Sequence, residues 1–340
     1  MHQPKVATVI IHWNRCKLLE QFLPFLMAST YPNLEVYVAD NASTDDTIPF
    51  LEAHYPTVKI IRLDKNYGYA GGYNEALKQV KADYYVLINN DIEVTPGWIE
   101  PVIAEMQKDS DIAACQPKLL QYHHKDKFEY AGAAGGMMDS LGYVFCRGRI
   151  FEVDEFDKHQ YQDTTEIFWA SGACLFIRAD VFHEVSGFDK HFFAHMEEVD
   201  MCWRLQQRGY RIMAVPASEV YHVGGGTLSK QSPQKTYLNF KNSLCMMFKN
   251  LPASKLIWLI PLRSFLDLLS SIFFLMNALP QHSWAIHRAH ADFFFNIGQW
   301  MRLRKEAQSH ITTHELRGTY NGSIVYQHFI KKVKYYSELF

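Results

Sequence analysis

The pattern that most constrains the fold is an alternation of short β-branched runs with helical segments over residues 1–115. The runs are Val6–Ile11, Leu34–Ala39, Val58–Leu63, Tyr84–Asn89 and Ile112–Cys115. This alternation is typical of a mostly parallel sheet with helices on both faces. One helix carries clear start signals, because Thr95 is a good N-cap and Pro96 suits the first helical position before Trp98–Met106. The sequence therefore predicts an α/β fold.

Two changes of pattern divide the rest of the chain. Residues 116–165 are rich in glycine and aromatic residues, which indicates turns and short antiparallel strands. A last strand and helix follow near Ala173–Ile177 and Val199–Arg208, and after about Ser232 the pattern becomes long, apolar and helical. We therefore expect one domain at 1–232, with halves at 1–115 and 116–232, and a helical C-terminal region at 233–340.

The apolar segment Leu256–Leu279 in this helical region is long enough to cross a bilayer. It contains Arg263 and Asp267, however, and charges are unfavourable in hydrocarbon. We therefore expect a helix that lies in the membrane interface. Basic and aromatic residues that suit anionic headgroups follow it: Trp284, Arg288, Trp300, Arg302, Arg304 and Lys305. The alternative is a helical cap packed on the sheet domain or on a second subunit, which would form a homodimer.

Composition excludes several classes of protein. The net charge of −2 is spread along the chain, which argues against a nucleic-acid partner. The six cysteines include no Cys-x-x-Cys pair, so a zinc knuckle and a disulfide framework are both disfavoured. The first apolar run, Val6–Ile11, is too short for the core of a signal peptide. These features predict a cytoplasmic protein.

Polar residues follow four successive predicted strands, at the sheet edge where open parallel sheets bind ligands. They are Asn14, Asp40, Ser43, Asn66 with Gly71, Asn89, Asn90 and Asp91. No Gly-x-Gly-x-x-Gly follows the first strand and no Gly-Lys-Ser/Thr occurs, which disfavours dinucleotide and P-loop sites. A nucleotide held by side chains remains, with Asp40 able to bind a base or ribose. Asp91 is the best candidate ligand for a hard cation, although a lone strand-end Asp is more often a cap or turn residue.

Three of these segments, Asp40–Asp45, Asn66–Gly72 and Leu87–Asp91, resemble the nucleotide-sugar half of family 2 glycosyltransferases with the GT-A fold. The resemblance implies a UDP- or dTDP-linked sugar donor and a Mn²⁺ or Mg²⁺ ion bound by Asp91. The donor would be bound by the residues Asn14, Asp40, Ser43, Asn66, Gly71, Asn89 and Asn90. Asn89 stands where many members carry Asp, so one carboxylate is missing and metal affinity is expected to be lower.

The second half resembles the same family. Trp169–Cys174 is similar to the loop before its acceptor site, which implies acceptor contacts from Trp169, Gly172 and Ala173. The segment Gly187–Arg204 is similar to the acidic helix start of inverting, rhamnosyltransferase-like members. There the second acid, Glu198, would be the general base, with Glu197 and Asp200 as alternatives, although acids at a helix N-terminus also complement its dipole.

His222 resembles a family position that completes the metal shell, and imidazole is a suitable ligand for Mn²⁺.

The resemblance, over about residues 5–230, implies an inverting, metal-dependent glycosyltransferase. Its acceptor hydroxyl would belong to a glycan or lipid-linked acceptor of envelope polysaccharide synthesis, at the inner face of the plasma membrane. A nucleotidyltransferase is the first alternative, but only Arg15 and Lys17 stand in the glycine-free loop that would grip a triphosphate. A non-catalytic nucleotide-sugar-binding membrane protein is the second, and the Glu197–Glu198 pair speaks against it.

Overall fold

The computed structural model describes residues 3–224 and 232–340. Of the glycine run predicted after His222, Gly224 falls within these residues, and Gly225 and Gly226 fall outside them. In chain order the strands are β1 (Val6–His12), β2 (Leu34–Asp40), β3 (Lys59–Arg62), β4 (Tyr84–Ile88), β5 (Ile92–Val94), β6 (Ile112–Gln121), β7 (Gly136–Asp139), β8 (Val144–Cys146), β9 (Arg149–Ile150), β10 (Val153–Asp154), β11 (Thr165–Glu166), β12 (Cys174–Arg178), β13 (Arg211–His222) and β14 (Thr319–Tyr320).

Helices lie between and after these strands. They are α1 (Cys16–Met27), α2 (Thr47–His54), α3 (Gly68–Leu77), α4 (Ile99–Lys108), α5 (Ala179–Glu184), α6 (Glu197–Gln207), α7 (Pro233–Asn250), α8 (Ala253–Met276), α9 (Pro280–Phe295) and α10 (Ile297–Ser309).

The central sheet of the described residues has the strand order β11-β13-β6-β12-β4-β1-β2-β3, with β5 paired to β13. The predicted parallel sheet is confirmed for β1 to β4: the pairs β1–β2, β1–β4 and β2–β3 are all parallel. Strand β12 enters antiparallel between β4 and β6, so the whole sheet is mixed. An apolar core covers each face, and Trp203 of α6 is 1% exposed within it. The carboxyl ends of β1, β2 and β4 therefore share one edge.

Three local predictions differ from the structure. The strand predicted at Ile112–Cys115 continues to Gln121, because β13 pairs with it along its whole length; Pro117 lies beside a shift in register, where a proline is tolerated. Helix α4 begins at Ile99, and Thr95 instead accepts a turn hydrogen bond from the N–H of Trp98. The predicted turn at Gly68–Gly72 is the start of α3.

Helix α7 begins at Pro233, and the helices after it pack against the sheet-containing part of the chain. Helix α7 packs against α6, α9 and α10. After α10 the chain returns to the small sheet β10-β9-β8-β7-β14, and the N–H of Ile324 donates to the carboxylate of Asp139 at 2.8 Å. The expected all-helical region at 233–340 therefore ends near Ser309, and the last residues belong to the other domain's surface.

Helix α8 has its polar side inward. Among the described residues it is the one helix long and apolar enough to cross a membrane, a criterion that core helices and signal sequences also meet. Its buried positions recur every fourth residue at Leu259, Arg263, Asp267 and Ser271. Arg263 donates to the Ser243 hydroxyl at 3.1 Å, and the second charged side chain pairs with His290 at 3.0 Å. Both charges that argued against hydrocarbon thus face protein, while the exposed face is apolar.

Candidate active site

The register of β5 and β13 brings Asp91 and His222 together. His222 ends β13 and pairs with Ile92, which directly follows Asp91. The Nε2 atom of His222 lies 3.1 Å from Oδ1 of Asp91, and both side chains are buried. The two residues predicted as metal ligands, 131 positions apart in sequence, are therefore in direct contact.

A buried acid that the sequence analysis did not select lies on the other side of this histidine. Oε1 of Glu129 is 3.1 Å from Nδ1 of His222, which is ion-pair distance, although the alignment falls short of a hydrogen bond. The other carboxylate oxygen of Glu129 accepts from the N–H of Ala131. His222 is therefore held between two carboxylates.

These neighbours set the charge of the imidazole. Burial lowers the pKa of His222, but the carboxylates of Glu129 and Asp91 outweigh it and raise the pKa to about 10. Burial raises the pKa of the Asp91 carboxyl. The charge of His222 and the hydrogen bond to it outweigh burial, so the net pKa lies below the usual Asp value. Without a cation, the site is a charged cluster of one imidazolium and two carboxylates.

The geometry of this pair fits a divalent ion. Two neighbouring ligands on an octahedral ion, each at about 2.1 Å, stand about 3.0 Å apart. Oδ1 of Asp91 and Nε2 of His222 are 3.1 Å apart, so both can reach one ion once Nε2 has lost its proton. No group of three or more His, Cys, Asp or Glu side chains that could hold a metal occurs in residues 3–224 and 232–340. An ion here would therefore need ligands from water or substrate, as Mg²⁺ sites that bind phosphates commonly do.

Asn89 and Asn90 contact different partners. The Nδ2 atom of Asn89 lies 3.4 Å from Nε2 of His222, beside the candidate metal ligands. The amide of Asn90 lies 2.9 Å from Nδ1 of His12, whose other ring nitrogen is 3.0 Å from the hydroxyl of Thr47. Burial lowers the pKa of His12 to about 4, against the opposing charges of Asp45 and Asp40, so this imidazole is neutral. The sequence analysis did not select His12, which has no motif around it.

The loops after β1 and β2 are joined by side-chain hydrogen bonds. The N–H of Asn14 donates to the hydroxyl of Ser43 at 2.8 Å, and Oδ1 of Asn14 accepts from the N–H of Thr44 at 2.8 Å. The carboxylate of Asp40 accepts from the N–H of Ser43 at 3.2 Å. Asn14 and Arg15 both have positive φ, and the second is unusual for so large a side chain. The predicted donor residues Asn14, Asp40 and Ser43 thus form one ordered loop cluster.

Asn66 and Gly71 lie at the start of α3. Oδ1 of Asn66 accepts from the N–H of Gly68 at 2.8 Å, and a Cβ on Gly71 would approach Cβ of Tyr67 to 3.1 Å. The carbonyl of Phe193 caps the same helix by accepting from the N–H of Tyr69 at 2.9 Å. The start of α3 is therefore hydrogen-bonded to the loop that precedes Glu197 and Glu198.

That loop is strained and leads directly into the acids. Phe193, His195 and Met196 all have positive φ, which costs about 1–3 kcal/mol for each non-glycine residue. The buried amide of Asn242 in α7 stabilises the loop by donating to three of its carbonyls, at 2.8–2.9 Å. Glu197 and Glu198 follow as the first residues of α6. Strain of this kind, held by a neighbouring element, is common at functional sites.

The three acids of α6 differ in their environment. Burial raises the pKa of Glu198 to about 7, with backbone N–H groups opposing it. Burial, helped by the charges of Glu198 and Asp200, raises the pKa of Glu197 well above the usual Glu value. One oxygen of each glutamate has no hydrogen-bond partner among the described residues. Both oxygens of Asp200 are bound, one by Asn250 at 2.8 Å and the other by Lys249 at 2.7 Å. Each glutamate therefore keeps one buried oxygen without a hydrogen-bond partner among the described residues, whereas both oxygens of Asp200 are taken.

Tyr69 links the acids to the donor residues. Its hydroxyl donates to the carbonyl of Gly172, and burial raises its pKa, with smaller contributions from the charges of Tyr73, Glu197 and Glu198. The next carbonyl, that of Ala173, accepts from the N–H of Asn89 at 2.9 Å. A short series of hydrogen bonds therefore runs from Asn89 through Tyr69 to the Phe193 carbonyl, in the loop that leads into α6.

Trp169, the third predicted acceptor residue, is 5% exposed. Its indole N–H donates to the carbonyl of Met137 at 3.1 Å, and its ring covers Gly136. In this structure Trp169 supports the acceptor loop from beneath.

Sequence comparison identifies relatives of this chain. The family model "Glycosyl transferase family 2" matches residues 8–186. An N-acetylglucosaminyl-diphospho-decaprenol L-rhamnosyltransferase of Mycobacterium tuberculosis is 28% identical over 222 residues, covering 60% of this chain and 71% of the relative. The O-antigen biosynthesis protein RfbC of Myxococcus xanthus is 28% identical over 224 residues, covering 64% of this chain and 17% of that relative.

Solved structures share the fold. A mannosyltransferase from Pyrobaculum calidifontis, in complex with GDP-Man and Mn²⁺, aligns with a TM-score of 0.51 at 16% identity, covering 91% of this chain and 83% of that one. GalNAc-T7 with UDP, GalNAc and Mn²⁺ aligns with a TM-score of 0.57 at 15% identity, covering 73% and 48%. With the family match spanning more than half of its residues, the chain belongs to glycosyl transferase family 2 and is a glycosyltransferase with the GT-A fold.

Proposed function

We propose that the chain is an inverting, metal-dependent transferase that moves a sugar from a UDP- or dTDP-linked donor to an acceptor hydroxyl. One observation carries the proposal: hydrogen bonds through Asn89, the Gly172–Ala173 carbonyls and Tyr69 connect the Asp91–His222 contact to the loop that leads into Glu197 and Glu198. Family 2 membership agrees with it.

The donor would be bound along the carboxyl ends of β1, β2 and β4. Asp40 would accept hydrogen bonds from the base or ribose, with Asn14 and Ser43 shaping its loop, and Asn66 and Gly71 fixing the start of α3. Asp91 and His222 would hold Mn²⁺ or Mg²⁺ beside Asn89, and Asn90 would act through His12. Such an ion stabilises negative charge that develops on the leaving diphosphate.

The protonation states of the two glutamates suit base catalysis. Neighbouring carboxyls whose environments separate their pKa values divide into a neutral group and a base. Glu197, with the higher pKa, would remain protonated and donate to the acceptor. Glu198, whose pKa is about 7, would take the proton of the acceptor hydroxyl as its oxygen bonds to the anomeric carbon. The bond from that carbon to the diphosphate breaks, and its electron pair leaves on the phosphate oxygen.

We further propose that the protein lies on the inner face of the plasma membrane and acts on a glycan or lipid-linked acceptor of envelope polysaccharide synthesis. The outward face of α8 supports this location, because it exposes Ile257, Phe265, Phe273 and Met276 while Arg263 and Asp267 are buried. A helix of this polarity suits a lipid surface with basic residues nearby. A homodimer through the same helices would bury the same face, and light scattering in detergent-free buffer separates the two outcomes.

A thermal-shift panel tests the donor site. Nucleoside diphosphates, nucleotide sugars and nucleoside triphosphates are each added with and without Mn²⁺, because a ligand that binds the native state raises its melting temperature. We expect the largest shift from one nucleotide sugar with Mn²⁺, its loss in Asp91→Asn and its retention in Glu198→Gln. Glu75→Gln, which removes an exposed ion pair with Lys78, is the control. A larger shift with a triphosphate would favour a nucleotidyltransferase.

A further inference from the structure

Glu129 is a deeply buried acid with no place in the donor or acceptor motifs. It is 4% exposed and lies in the segment that folds back on β6, where its N–H donates to the carbonyl of Leu119 at 3.0 Å. An isolated carboxylate in such a place is costly unless it is paired. Here its carboxylate lies 3.1 Å from Nδ1 of His222 and also accepts the N–H of Ala131.

The position of Glu129 excludes it as a ligand of the same ion as Asp91. The two carboxylates contact opposite ring nitrogens of His222: Asp91 lies at Nε2 and Glu129 at Nδ1, each 3.1 Å away. An ion held by Nε2 therefore lies on the far side of the imidazole from Glu129. The Nδ1 atom is buried and has no aligned hydrogen-bond partner among the described residues, and the carboxylate of Glu129 lies within ion-pair distance of it.

We propose that Glu129 is a positioning residue for the metal site. Its carboxylate would accept a hydrogen bond from the Nδ1–H of His222, so that Nε2 presents its lone pair to the ion. This inference rests on the proposed function. Metal-bound histidines usually donate their second N–H to a carboxylate or carbonyl, which fixes the tautomer and ring orientation and makes the ligand more basic. The assignment gives this chain a means to offset the carboxylate it lacks at Asn89.

Gly224 adds an independent observation on the same cluster. It has φ +72°, and a Cβ there would lie 3.2 Å from Oε1 of Glu129. Its backbone N–H also helps to lower the pKa of Asp91. Gly224, two residues after the end of β13, therefore lies against the carboxylate of Glu129, and its lack of a side chain leaves room for that group beside the imidazole.

The test measures Mn²⁺ binding directly, by electron paramagnetic resonance of free Mn²⁺ titrated into the full chain without donor. We expect Glu129→Gln and Glu129→Ala to weaken binding about 10- to 100-fold. Glu155→Gln is the matched control, because Glu155 is also buried and bonded to Tyr161 at 3.0 Å, yet has no contact with the site. Circular dichroism and apo melting temperatures check that each variant is folded.

A double-mutant cycle separates positioning from general loss of structure. In a His222→Ala background the Glu129→Gln substitution should no longer change Mn²⁺ affinity, because the group it positions is gone. Equal weakening in both backgrounds, or wild-type affinity in Glu129→Gln, overturns the positioning role and leaves the metal site standing. Absence of Mn²⁺ binding by the wild-type chain overturns both the metal site and this role.

Discussion

The rate of transfer should follow the ionisation of Glu198. A base must be deprotonated, and burial raises the pKa of this carboxyl to about 7. For that pKa the ionised fraction rises from about 9% at pH 6 to about 91% at pH 8. We therefore expect kcat/KM, which reports the free enzyme's groups, to increase about tenfold over this interval. The measurement is initial release of nucleoside diphosphate at fixed Mn²⁺ across pH 5.5–8.5.

Two substitutions assign the pH dependence to one residue. Glu198→Gln should lower kcat by about 10²- to 10⁴-fold and abolish the rise with pH. Glu197→Gln, its matched control on the same helix turn, should keep the rise of rate with pH, because the proposed base, Glu198, is still present.

The stability of the fold should change with pH in the opposite direction to the rate of transfer. The folded-state pKa of Glu198 lies above its unfolded value, so the wild-type fold loses stability as pH rises from the ordinary Glu pKa to about 7. Glu198→Gln carries no such charge and should melt at a higher temperature than wild type at pH 8. A Glu198→Gln enzyme with wild-type rate and pH midpoint would refute the assignment of the base. Loss of turnover in Glu197→Gln alone would transfer the role to Glu197.

Three further substitutions test the packing and the surface. Gly72→Ala should lower the free energy of unfolding by about 1–3 kcal/mol, because its Cβ would lie 2.6 Å from a core side chain, whereas Gly298→Ala, with open space in α10, should raise it by up to about 1 kcal/mol in urea titrations. Lys249→Met should cost about 3–5 kcal/mol, since it removes the buried cation shared by Asp189 and Asp200, whose carboxylates each lie 2.7 Å from its amine. Phe273→Asp, at a 60% exposed position of α8, should reduce sedimentation with anionic vesicles without lowering the melting temperature, while Phe25→Asp on α1 should change neither; vesicle binding unaffected by Phe273→Asp would contradict the membrane-facing role.

The strand-end residues could be predicted because their signal is local. Apolar β-branched runs mark β1, β2 and β4, and the polar residues that follow them must meet where parallel strands end. Asp40 and Asp91 needed no tertiary information beyond that rule. The same local signal failed at Thr95, because a cap residue and Pro96 also suit the turn that precedes α4.

The surroundings of His222 and Asp200 depend on contacts that no local pattern encodes. Glu129 reaches His222 because two segments meet on β6. Strand β13, which ends at His222, pairs with β6, and the segment that contains Glu129 folds back on the same strand. Asp200 could not be separated from the two glutamates in sequence, since its oxygens are bound by Lys249 and Asn250 from a helix about 50 residues away. Only the packing of α7 on α6 shows which acids remain free.

The proposed transfer is tested most directly by hydrolysing the donor and identifying which anomer of the sugar is released first. Water replaces the acceptor in this reaction, so proton NMR can follow it before the sugar mutarotates, with the donor that gives the largest thermal shift. We predict the inverted anomer, formed only with Mn²⁺ or Mg²⁺ and absent in Asp91→Asn and Glu198→Gln. Release of the retained anomer, or equal release in the presence of a chelator, would contradict it.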